Sequence, residues 1–129
     1  ISSAERELER PLYWAGVQPL EWPDRNYLLL DEDTEIGPGF KILQTPGHAP
    51  GQISVELQLP KTGPTLLASD AISRPSEIND GFEGSWNEDR AKENFVRLMD
   101  RAKGLDAFVI FGHSPDQWPK LRKTPKYYA

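Results

Sequence analysis

The chain has 129 residues, a size for one domain, with 20 acidic against 15 basic residues and a formal net charge of −5. That balance argues against a nucleic-acid partner, which wants clustered Lys and Arg, and the lack of cysteine excludes disulfides and thiolate metal sites. No apolar run approaches the ~20 residues of a membrane span and no signal-peptide pattern is present, so no membrane partner and a cytoplasmic location are the default expectations.

In chain order, Ser2 to Glu5 reads as a capping box opening a short helix that Pro11 stops. A loop rich in Pro and Trp follows through Trp14, Pro19 and Trp22, then an apolar run from Tyr27 to Leu30 suited to a buried strand, ended by the acidic turn Asp31 to Asp33. Pro38-Gly39 is turn chemistry, and Phe40 to Thr45 reads as a strand ending at Pro46-Gly47. Ile53 to Leu59 alternates, with Ile53, Val55, Leu57 and Leu59 on one face and Ser54, Glu56 and Gln58 on the other, which predicts a half-buried strand. Lys61 to Pro64 joins it, as a hairpin, to a strand from Thr65 to Ser69.

Ser73 to Trp86 carries Pro, Asn, Asp and two Gly and reads as a long loop. Its Phe82 and Trp86, with Trp14 and Trp22, are candidates either for a substrate pocket or for anchors packed on the core. The spacing of Ala91, Phe95, Leu98, Met99 and Ala102 predicts a helix from about Asn87 to Lys103, ended by Gly104. Ala107 to Phe111 is a continuous apolar strand of the kind buried on both faces, and Ser114-Pro115-Asp116-Gln117 predicts the start of a last helix, with the basic cluster Lys120 to Lys126 on its solvated face. The expected architecture is α/β: a mixed sheet with helices on one face, whose other face this chain leaves short of cover.

The chain has only two histidines, and each follows a strand, a break and a glycine: His48 after Gly47, His113 after Gly112. The strand Thr65 to Ser69 runs directly into Asp70, so three strands each deliver a metal-ligand type at a C-terminal end, where α/β sheets form binding crevices. A turn histidine or a capping aspartate explains each residue taken singly, and spacing alone leaves the two readings level.

Resemblance adds a direction. Thr45-Pro46-Gly47-His48-Ala49-Pro50-Gly51 resembles a metal-binding motif of the metallo-β-lactamase superfamily, Ala68-Ser69-Asp70-Ala71 its bridging-aspartate motif, and Phe111-Gly112-His113 its last histidine motif. The tail Phe111 to Trp118, closing with Pro125-Lys126-Tyr127-Tyr128, is most similar to the N-acyl homoserine lactonase branch. The resemblance implies the C-terminal half of an αββα sandwich, a single partial domain over residues 1–129. It implies His48 and His113 as ligands of two divalent ions, expected to be zinc, with Asp70 bridging them as the catalytic carboxylate. The implied activity is hydrolysis of a small-molecule ester, an acyl homoserine lactone or a relative, by water activated between the ions.

Two departures from the family pattern shape the expectations. The His-x-His-x-Asp-His motif that supplies the remaining ligands is absent, and the chain begins at Ile1, so the expected partner is a missing N-terminal half, with the isolated chain inactive; a homodimer is a further open expectation. Ser73 stands where lactonases of this branch commonly have a Tyr that helps the substrate, and Gln52 stands where relatives often have a second, non-ligand His. Ser73 is therefore a candidate substrate-binding residue, and it motivates the alternatives of another ester, thioester or phosphotriester, beside that of a non-catalytic half-domain.

Overall fold

A computed structural model describes residues 28–129; the readings made for Ser2 to Pro11, Trp14, Trp22 and Tyr27 lie outside them. Five strands form one sheet in the order of the chain: β1 (Thr34–Gly37), β2 (Phe40–Gln44), β3 (Ile53–Leu59), β4 (Gly63–Ser69) and β5 (Phe108–Phe111). The first three pairings are antiparallel and β4 with β5 is parallel, so β2, β4 and β5 all run the same way. Pro38-Gly39 closes the first hairpin, as its turn chemistry predicts, while the third turns through Pro60 to Thr62, so that Gly63 and Pro64, expected in the turn, already belong to β4. β1 went unseen in the sequence because Thr34 to Gly37 carries one large apolar residue, the exposed Ile36, and pairs only along a sheet edge.

The expected strand over Tyr27 to Leu30 is reduced, in its described part, to a single bridge residue at Leu30. Leu28 and Leu29 are exposed and only Leu30 is buried, its carbonyl accepting from Gln44 Nε2 at 3.0 Å. Local apolarity was present, but the described segment forms no more than that one bridge.

Two α-helices follow β4: the single turn α1 (Glu77–Asp80), inside the long loop, and α2 (Glu88–Leu105). Asn87 caps α2, its side chain accepting from Arg90 N, and Ala91, Phe95, Leu98 and Ala102 bury the stripe read from the sequence. The helix runs through Gly104 and ends at Asp106, which takes the left-handed conformation (φ 51°, ψ 42°) expected of that glycine; Asp adopts it at low cost because its short side chain tolerates αL. The predicted last helix is only a 3₁₀ turn, Trp118–Lys120, so the basic residues up to Lys126 do not share a helix face. Gln117 turns back toward the sheet instead of capping.

Residues paired across strands point to one face, which places Leu43, Ser54, Glu56, Leu66 and Ala68 beneath α2. There they join Phe95, Leu98 and Ala102 in the core, while Glu56 is bidentate to the Arg101 guanidinium. β3 thus alternates as read, and the face that lies under the helix is the polar one: Ser54 is fully buried, and Ile53, Val55, Leu57 and Leu59 are half-buried on the far face. Ser54 tolerates this because its Oγ donates to Ala68 O at 2.8 Å and pairs with Thr45 Oγ1 at 3.1 Å. Strand β5 is half-buried along its length rather than enclosed, since it ends the described sheet. Among the described residues neither α-helix covers the far face, and none is long and apolar enough to cross a membrane.

Candidate metal centre

Because β2, β4 and β5 are parallel to one another, the loops that follow them leave from the same edge of the sheet. These are the loops that carry His48, Asp70 and His113.

Asp70 and His113 meet directly. The imidazole Nε2 stands 2.8 Å from Asp70 Oδ1, with the His113 side chain 72% exposed and that of Asp70 38% exposed. Two local features make this approach possible. A bulge in β4 brings Ser69 opposite Phe111, and Ser69 adopts a positive φ of 53°, a sparsely populated conformation for a residue with a Cβ, just before Asp70. On the other strand, a Cβ at Gly112 would lie 2.6 Å from Ser69 O and 3.1 Å from Asp70 Oδ1, so only glycine lets the two strand ends close up. The main chain after β5 is then held by β4's continuation: Gly112 N donates to Ile72 O at 3.1 Å and His113 N to Ser73 O at 2.9 Å. Ser73 is in turn fixed by its own N–H, which donates to Glu77 Oε2 at 2.8 Å.

His48 is exposed and is held by its backbone. Its carbonyl accepts from Trp86 N and the Gly47 carbonyl from Asn87 N, both at 3.0 Å, while Asn94 Nδ2 donates to Pro46 O at 2.7 Å. The loop is thereby fastened to the start of α2. Gln52, at its end, reaches Ser69 Oγ with its Nε2 at 3.1 Å and so ties the loop beside Asp70. Among the described residues, however, no three His, Cys, Asp or Glu side chains gather into a group able to hold a metal, so the structure joins two of the three expected ligands and leaves His48 outside that pair.

The donor chemistry suits zinc: one imidazole nitrogen and one carboxylate oxygen, both accessible. Phe82 answers the other open question, for it is a core anchor, edge-to-face with Phe95 at a centroid distance of 5.8 Å, while Trp86 remains largely exposed. Glu77 and Gln117 brace the backbone on either side of His113 with their side chains, a role signalled in the sequence only by their lying within a few residues of the site motifs.

No family model matches the chain. An N-acyl homoserine lactonase from Bacillus sp. is 32% identical over 110 residues, 81% of this chain and 42% of that protein. The N-acyl homoserine lactonase AttM of Azorhizobium caulinodans is 39% identical over 88 residues, 65% of this chain and 33% of its own length. Among solved structures, an N-acyl homoserine lactone hydrolase with N-hexanoyl-L-homoserine bound at its catalytic metal centre superposes with a TM-score of 0.75 at 31% identity, over 81% of this chain and 42% of that one. The chain therefore spans about 42% of the length of the first of these relatives. Over that span the chain is similar to the N-acyl homoserine lactonases and shares their α/β, metallo-β-lactamase-type fold.

Proposed function

We propose that this chain is the part of a metal-dependent lactone hydrolase that supplies His48, Asp70 and His113 as ligands, with an acyl homoserine lactone as the substrate class. The observation that carries the reading is the 2.8 Å pairing of His113 Nε2 with Asp70 Oδ1 at the C-terminal edge of the sheet. The homology to N-acyl homoserine lactonases supports it. Two zinc ions, when bound, supply activation of water and polarisation of the ester carbonyl. Asp70 would be the donor shared by both ions, with His113 completing this chain's ligands to one and His48 to the other. Ligand counting then leaves each ion two protein donors from this chain, short of the three or four usual for zinc. The remaining donors come from elsewhere in the cytoplasmic protein, and residues 1–129 alone bind zinc weakly and do not turn over.

The test uses the full-length protein loaded with zinc and assayed on N-hexanoyl homoserine lactone. Asp70→Asn and His113→Ala are each expected to lower kcat/KM by about 10²-fold or more. Activity within a few-fold of the parent for both variants would remove these residues from the site.

Ser73 favours a second reading, in which the same site acts on another ester. Its hydroxyl is far shorter than a tyrosine side chain, and its main chain is pinned between Glu77 and His113, so it cannot move toward a distant carbonyl. Under the lactonase reading, Ser73→Tyr raises kcat/KM on the lactone at matched metal content. An unchanged or lower value points to a different ester.

A further inference from the structure

β5 ends the described sheet, and in an extended strand alternate residues aim their peptide groups to the same side. The outward peptide groups of β5 include Val109 C=O and Phe111 N–H, the pair that a further strand would engage. Both are taken by one side chain. Phe111 N donates to Gln117 Oε1 at 3.0 Å, and Gln117 Nε2 donates to Val109 O at 2.6 Å. An amide is the one side-chain group with a donor and an acceptor side by side in one plane, so it stands in for a neighbouring peptide. Gln117 is itself fixed by its main chain, whose N–H donates to Ser114 Oγ at 3.3 Å, which closes residues 114–117 into a tight turn. Phe111, Gly112 and His113 are consecutive, and their three N–H groups are held by Gln117, Ile72 and Ser73 respectively.

We propose that Gln117 is a positioning residue for His113: by clasping the free edge of β5 it sets the strand end from which the imidazole reaches Asp70. The clasp also occupies the edge that would otherwise recruit another strand. Side chains that orient a metal ligand without touching the ion have measurable influence on the site, and Gln117 acts here through the backbone rather than through the ring. The inference rests on the reading of His113 as a site residue but not on the identity of the substrate.

The experiment is carried out on the metal-free full-length protein, so that a failed lactone assay and a failed inference are separable. Nitrogen-detected imidazole spectra give His113 and His48 separately, and His48 serves as the internal control because its loop is fastened to α2 rather than to β5. In Gln117→Ala the His113 ring resonances are expected to shift while those of His48 stay in place. The Phe111 amide is expected to exchange at least about tenfold faster, the scale of one lost hydrogen bond. Gln117→Glu keeps an acceptor for Phe111 N–H and loses the donor to Val109, so His113 should move less than in the Ala variant. Should Gln117→Ala fail to fold, Gln117→Glu carries the same reading of His113 against His48. Unmoved His113 resonances overturn the proposal, and so does an equal shift of both rings, which would mark a general loosening.

Discussion

Gly47-His48 and Gly112-His113 look alike in the sequence, each a glycine and a histidine just past a strand, yet the structure uses them differently. Gly47 is buried against the helix: a Cβ there would lie 2.5 Å from both the Cα and the N of Ala91. Gly112 is exposed and pressed instead against the end of β4. The first glycine serves packing, fastening a loop to α2, and the second serves the site, letting Asp70 and His113 meet. A repeated local pattern therefore says where a chain must come close to something, and the contact on the other side says why.

The largest effect that separates them belongs to Gly47→Ala. Main chain lies on the far side of the missing Cβ and cannot yield as a flexible side chain would, so a loss of about 3 kcal/mol in unfolding free energy is expected, read by chemical denaturation. A variant as stable as the parent would show that the loop is not tightly fastened to α2. Gly112→Ala should cost less, about 1–2 kcal/mol, because its nearest neighbours, Ser69 and Asp70, lie at the solvent-exposed end of β4, where they can give way. It should nevertheless perturb the His113 ring resonances where Gly47→Ala does not, and the opposite pattern would dissolve the distinction between the two glycines.

Asn87 sharpens the packing side of the comparison. Its side chain caps α2 while its N–H holds the Gly47 carbonyl, so Asn87→Ala is expected to cost about 1 kcal/mol and to raise exchange at the Arg90 amide. The same measurement should leave the Phe111 amide unchanged.

The smallest effect is a pH response at α1, the turn that carries Glu77. Hydrogen bonds from Ser76 and Arg74 hold the Asp80 carboxyl below its ordinary value of 3.8. A depressed carboxyl contributes stability above its unfolded value and loses it as pH falls through the folded one, so the Arg74–Ser76–Asp80 contacts should hold at neutral pH and open below about pH 3.8. Amide exchange across residues 77–81 reads it, and Asp80→Asn should abolish the response. A flat profile in the parent would mean that α1 owes nothing to this carboxylate.

Strands β2, β3 and β4 and the helix α2 were legible because alternation and 3.6-residue spacing report local geometry, and those elements lie where the pattern and the packing agree. Even there, β3 showed its alternation but not which face lies under the helix, since Ser54 is buried through hydrogen bonds that no apolar pattern announces. The last helix failed for a related reason. Gln117 has the right spacing to cap, but the edge of β5 that no described strand pairs offers its amide two bonds in place of one. Of the site, sequence order and glycines pointed to three residues, but that only Asp70 and His113 touch depends on the β4 bulge and the turn at Ser69, which are tertiary events.

The shared direction of β2, β4 and β5 also sorts the connections by length. The short turns at Pro38-Gly39, at Pro60 to Thr62 and at Asp106 all lie at one edge, and the longer loops that follow residues 44, 69 and 111 all lie at the other. Change at the two edges should then have separate consequences. Lengthening a connection such as Pro38-Gly39 alters the hairpin without reaching Asp70 or His113, whereas every residue added to the long loops redraws the mouth of the site. A molecule arranged in this way can diversify what it accepts along one rim while its scaffold is maintained from the opposite one.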